Sequence, residues 1–165
     1  SDAQLAEALA MLEMRPDAEP ELRWAGHVLR RHRDGLHLEL NTAEALREGT
    51  WNTSQPFELG AGAGRLRRVN AAVEGIDPAV DTVEIRYREG GEKLRPLGDR
   101  HGRELKKLLQ QRGIPRWQRD RLPLLFHEGR LVAVADLWID QSVAREGGWR
   151  VRWERNKADE TAPGE

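Results

Sequence analysis

The chain's stock of groups that could move protons, hold metals or bind anions is five histidines, twenty-eight carboxylates and twenty-seven lysines and arginines, with no cysteine. The lack of cysteine excludes disulfides and thiolate metal sites and agrees with a cytoplasmic setting. His27, His32 and His37 are spaced by five. That spacing alternates faces along a strand, and Asp34-Gly35 interposes a turn, so it does not build a metal site. Gly60-x-Gly62-x-Gly64 is neither GxGxxG nor GxxxxGK[ST], and no helical pattern follows it, so it is expected to be a turn. Asp136, inside LVAVADLWI, reads as a partly buried strand carboxylate with a structural role. Asp120 stands between Arg119 and Arg121 and is expected to order an arginine or cap a turn. No Ser/His/Asp set or nucleophile elbow occurs. No catalytic constellation emerges.

What remains is anion recognition. From Arg86 to Arg121 there are twelve Lys+Arg against five acids, a net +7, whereas residues 1–85 carry −6 and residues 122–165 carry −2. The overall −1 therefore hides a local cationic surface, which suits an anionic partner. The phosphate backbone of a nucleic acid is such a partner, and Arg95, Arg103, Lys106, Lys107, Arg116, Arg119 and Arg121 are the expected contacts.

These cations need a scaffold. Leu105, Leu108 and Leu109 fall on one face of a helix expected over 102–112, with Arg103, Lys106, Lys107 and Gln110 opposite. Gly113 is suited to a left-handed C-cap, Ile114 to packing back on Leu109, and Pro115 to stopping the helix. Trp117 offers a face on which a base could stack, but after the Pro115 turn it is expected to be an apolar anchor.

Around the helix the pattern is β-rich. Val83, Ile85 and Tyr87 alternate with charged residues, as do Trp149, Val151 and Trp153, the period of half-buried strands. Strands are also expected over 57–59 and 65–69, with a hairpin over 122–139. Toward the N-terminus, Leu5, Leu9 and Leu12 mark an amphipathic helix ended by Pro16. Residues 22–33 and 36–40 read as a hairpin turning at Asp34-Gly35. Residues 41–56 lose periodicity and are taken as the boundary region. The helix has nothing before it to cover its apolar face and there is no initiator Met, so the chain reads as an excised or processed piece. It shows neither a signal peptide nor a membrane span. The expected class is α+β: a mostly antiparallel, sandwich-like domain with one basic helix, preceded by a truncated helix-plus-hairpin domain.

Four motifs in order carry a resemblance: GEKLRP over 91–96, GRELKKL over 102–108, GIPRWQRD over 113–120 and PLL over 123–125. Together with HEGRLVAVA over 127–135, they closely resemble the C-terminal region of the tRNA(Ile)-lysidine synthetase (TilS) family. The agreement covers about residues 83–139 and continues more weakly over 22–82. Asp136 stands where the family usually has Gly, and Glu104 where it commonly has Lys.

The resemblance implies a tRNA-modifying ligase. Such enzymes activate the wobble cytidine of CAU-anticodon tRNA(Ile) with ATP, and lysine then displaces AMP to form lysidine. It implies that residues 1–46 end a first substrate-binding domain, that 47–156 form a second, tRNA-binding domain, and that 157–165 are a disordered tail. The second domain would share its fold with a domain of the phenylalanyl-tRNA synthetase β chain. ATP, with Mg, and lysine would act at an N-terminal PP-loop domain, whose SGGxDS motif is absent here. The piece itself would hold no cofactor and be inactive alone. Its partners would be tRNA(Ile) and its own PP-loop domain. The alternative is a docking module for the catalytic domain or a homodimer mate, without direct tRNA contact.

Overall fold

The computed structural model describes residues 1–15, 17–24, 26–40 and 45–155; Pro16 and the expected tail over 157–165 lie outside them. The chain divides into two compact units, the first built mainly from residues 1–45 and the second from 46–60 and 64–154.

In the first unit, α1 (Asp2–Leu12) opens on a capping box. Ser1 Oγ accepts from the Gln4 amide at 3.5 Å, and the Ser1 amine donates to Gln4 Oε1 at 2.9 Å. Two orphan amino groups of the helix start are thereby satisfied reciprocally. Buried Arg31 closes the other end, its guanidinium donating to the Met11 carbonyl at 3.0 Å. A cation among the last carbonyls complements the helix dipole. Leu5, Leu9 and Leu12 stay 61%, 55% and 45% exposed.

The expected hairpin is a three-stranded antiparallel sheet of β1 (Glu21–Trp24), β2 (His27–His32) and β3 (Gly35–Leu40). Gly26, at φ +78°, lies in a turn that the sequence pattern hid, because Trp24 pairs with His27 on either side of it. The second turn is Arg33-Asp34 rather than Asp34-Gly35: His32 pairs with Gly35, and Arg33 takes the left-handed φ of 54°.

The second unit is two five-stranded antiparallel sheets, so the α+β, β-rich class holds. Its strands are β4 (Gly49–Asn52), β5 (Phe57–Glu58), β6 (Arg65–Asn70), β7 (Glu74–Ile76), β8 (Thr82–Arg86), β9 (Lys93–Leu94) and β10 (Arg103–Glu104). After the helices come β11 (Leu124–His127), β12 (Arg130–Val134), β13 (Trp138–Ile139), β14 (Ala144–Glu146) and β15 (Trp149–Glu154). One sheet has the order β13-β12-β11-β8-β4 and the other β14-β7-β15-β6-β5, while β9 and β10 pair separately.

Alternation works as expected on β8 and β15. Val83 and Ile85 are 2% and 0% exposed, and Trp149 and Val151 1% and 7%. The sheets meet where Trp51 of β4 packs edge-on against Trp149, ring centres 5.9 Å apart. Both indole N–H groups are satisfied: Trp51 donates to Gln55 O at 2.6 Å and Trp149 to Val80 O at 3.0 Å.

Beside this pair, β7 and the approach to β15 come too close for side chains. A Cβ at Gly148 would stand 2.4 Å from Ile76 O, and one at Gly75 2.6 Å from Trp149 O. Gly148→Ala must push backbone against backbone and is expected to destabilise the second unit by about 1–3 kcal/mol. A urea midpoint equal to that of the wild type would refute this close approach.

Candidate nucleic-acid interface

The basic segment is held down by leucines. Leu105, Leu108 and Leu109 of α2 (Leu105–Arg112) are 1%, 5% and 0% exposed and pack with Leu94, Leu122, Leu124, Leu131 and Val134. Gly113 at φ 77° ends the helix. Its amide donates to Gln110 O at 3.0 Å and that of Ile114 to Leu109 O at 3.0 Å, the pair of bonds of a Schellman cap. Buried Pro115 then opens α3 (Arg116–Arg119).

The helix begins at Leu105, later than the periodicity suggests. Arg103 and Glu104 are drawn into pairing with Leu94 and Lys93, and the Leu105 amide donates to Glu92 O at 2.9 Å. Arg103 thus belongs to a strand, not to the helix face.

Lys106 and Lys107 occupy the first turn of α2, are exposed, and have no acid in that turn beside them. Cations there oppose the positive end of the helix dipole, at about 0.3–1 kcal/mol each. The arrangement concentrates positive potential at one pole instead of favouring the helix.

The structure gathers the seven expected residues into two groups. Arg95, Arg103, Lys106 and Lys107 lie around the β9–β10 ladder and the start of α2. Arg116, Arg119 and Arg121 lie on and just after α3, beyond the other end of a helix about 12 Å long by its rise per residue.

The side chains differ in freedom. Arg95, Lys106, Lys107 and Arg116 are exposed and form no ion pair or side-chain hydrogen bond with another described residue. Arg103 donates to Gln111 Oε1 at 2.6 Å and stands 3.7 Å from Asp99. Arg119 donates through Nε to Ile114 O at 2.7 Å. Arg121 is half-buried. Other cations of the segment are used structurally: Arg112 lies over Trp138 and Arg86 over Phe126, 5.8 and 4.7 Å from the ring centres. Asp120 caps α3 and accepts from Arg88 at 3.2 Å.

Two carboxylates that the sequence did not single out position this surface. Asp140, 8% exposed, accepts from the Arg95 amide at 2.7 Å and the Ser142 amide at 2.9 Å. It fixes the backbone that carries Arg95. The Asp-x-Ser spacing was the available signal, since it suits a side chain that caps the residue two positions on. Glu92 accepts from the Glu89 and Gly90 amides, each at 3.0 Å, and so closes the Gly90-Gly91 loop. Asp136, by contrast, is exposed in the turn between β12 and β13, not buried in a strand; Ala135, at φ 45°, ends the ladder there.

Among the described residues there is no group of three or more His, Asp or Glu able to hold a metal ion, and the Gly60–Gly64 turn leads into β6 rather than a helix.

The chain's one tyrosine reports on the loop behind the basic surface. Tyr87 donates to Arg47 O at 3.2 Å. Burial, reinforced by Glu48 and opposed by Arg121, pushes its phenol up from 10.0 to about 12. The folded state therefore holds this proton more tightly than the unfolded chain. The contribution to stability is full below pH about 10 and is lost as the pH rises toward about 12. Phenolate absorbance of the native protein should stay flat through pH about 10; a native midpoint near 10 would contradict this environment.

Residues 83–153 match the family described as the TilS substrate C-terminal domain, and residues 1–37 match the TilS substrate binding domain. Among similar curated proteins, the tRNA(Ile)-lysidine synthase of Methylococcus capsulatus is 37% identical over 140 residues, 81% of this chain and 32% of that protein. That of Coxiella burnetii is 34% identical over 142 residues, 82% of this chain and 32% of that protein. That of Pectobacterium atrosepticum is 37% identical over 153 residues, 86% and 33% respectively. The chain thus spans about a third of the length of the relatives it matches.

Proposed function

The chain belongs to the TilS family, of which it holds the C-terminal portion, and from that premise we propose that its second unit binds tRNA on behalf of a ligase whose chemistry lies in another domain. The parent enzyme would join lysine to the wobble cytidine of CAU-anticodon tRNA(Ile). ATP, with Mg, and lysine would bind its N-terminal PP-loop domain, and the protein would work in the cytoplasm. Among the described residues no helix is long and apolar enough to cross a membrane.

One observation carries this reading: Lys106 and Lys107 stand exposed, with no acid in their own turn, at the positive pole of a leucine-anchored helix. Arg95 and Arg116 would join them in direct phosphate contacts. Arg103, Arg119 and Arg121 would add charge and whatever donors their internal bonds leave over. Such contacts position an RNA without reading its sequence. The domains proposed are residues 1–46 and 47–156.

A docking role is favoured by a different observation, the exposed Leu5, Leu9 and Leu12 of α1. It would belong to the first unit and bring in the PP-loop domain or a second copy. Gel filtration of the chain with and without tRNA separates the two. A shift to a protein–RNA complex supports tRNA binding, and a protein dimer indifferent to tRNA supports docking.

A further inference from the structure

Two cations not yet assigned, Lys93 and Arg130, share a site with Arg95. Lys93 opens β9, Arg95 follows that strand, and Arg130 opens β12; the three exposed side chains line one open cleft of about 360 Å³. None forms an ion pair or side-chain hydrogen bond with another described residue. The cleft is completed by Asp140, Gln141 and Ser142.

Asp140 is the acid of this lining, and its two oxygens face backbone: Oδ2 accepts from the Arg95 amide at 2.7 Å, Oδ1 from the Ser142 amide at 2.9 Å. It organises the rim while three cations remain turned to one space, so the lining keeps a net positive charge. The Arg95 carbonyl accepts from the Gln141 amide at 2.7 Å, and the Leu97 amide donates to Ile139 O at 3.2 Å. The segment that presents Arg95 is therefore held before any ligand arrives. Among the described residues no aromatic side chain lines the cleft, so they offer no platform on which a base could stack.

We propose that this cleft holds a single phosphodiester of the RNA backbone between Lys93, Arg95 and Arg130, as a contact separate from the lysines of α2. The proposal rests on the tRNA-binding reading above and gives that surface a fixed point. It predicts a sequence-independent contribution, equal for tRNA(Ile) and for unrelated tRNAs.

The test is a Lys93→Gln/Arg130→Gln double variant of this chain, with Lys106→Glu/Lys107→Glu as reference. Both changes in the cleft fall on exposed side chains, so melting should be unaltered. Affinity should fall about tenfold or more for every tRNA, and the slope of log K against log salt should become shallower by about 0.7–0.9. If the slope is unchanged while the α2 variant weakens binding, the cleft assignment falls and the function stands. A wild-type chain that binds no tRNA overturns both. Amide NMR of Gly102 and Ser142 identifies the source of the phosphate: shifts with an RNA duplex and none with ATP support the proposal. Equal shifts with ATP alone would give the cleft to a free nucleotide and overturn it.

Discussion

Replacing Lys106 and Lys107 together by glutamate is expected to raise the melting temperature of the chain while lowering its affinity for tRNA by about 10²-fold or more. The two effects have opposite signs for one reason. Both residues lie in the first turn of α2, exposed and without an acidic neighbour in that turn. Glutamate there complements the helix dipole where lysine opposes it, a gain of about 0.3–1 kcal/mol at each position. The same change would remove the two proposed charge-assisted phosphate contacts, each about 1.5–3 kcal/mol, and set like charge against the RNA. The salt slope should become shallower by about 1.4–1.8. A solvated face with no partner would show the stabilisation alone. Unchanged affinity would therefore remove the helix from the interface, and a lower melting temperature would contradict the dipole argument.

The largest expected loss of stability is at Trp149. It is 1% exposed, meets Trp51 edge-on, donates to Val80 O and lies under the Arg68 guanidinium, 5.1 Å from its ring centre. Trp149→Ala should cost about 3–5 kcal/mol, a large share of the roughly 5–15 kcal/mol that holds an ordinary domain together. Trp149→Phe keeps most of the packing but leaves the buried Val80 carbonyl without its donor, for about 1–3 kcal/mol. Chemical denaturation of the two variants separates packing from hydrogen bonding. Equal midpoints for Ala and Phe would mean that the ring's bulk contributes little, contrary to its place between the sheets.

Much of the scaffold under the basic segment was legible in the sequence because its signals are local. Leu105, Leu108 and Leu109 mark a helix face within one turn, and Gly113-Ile114-Pro115 writes the stop signal in three residues. The alternation along Val83–Ile85 and Trp149–Val151 is likewise local.

What stayed hidden depends on partners distant in the chain. The start of α2 moved to Leu105 because Arg103 and Glu104 pair with β9, which no helical periodicity can register. Trp51 lies in a stretch of Thr, Asn and Ser that looks like a linker, yet it is 1% exposed because β4 pairs with β8, some thirty residues on. Asp140 reaches the Arg95 amide across forty-five residues, so its part in presenting that arginine appears only once the chain is folded. Asp136 misled in the opposite sense: apolar neighbours on both sides suggested one strand where Ala135 turns the chain.

The central claim is that the cations of the second unit bind a tRNA backbone. Its most direct test is equilibrium binding of tRNA to this chain across a range of salt concentrations. With Arg95, Lys106, Lys107 and Arg116 each neutralising a phosphate, log K should fall with log salt at a slope of about −3 or steeper. Failure to bind at low salt, or a slope near zero, would contradict it.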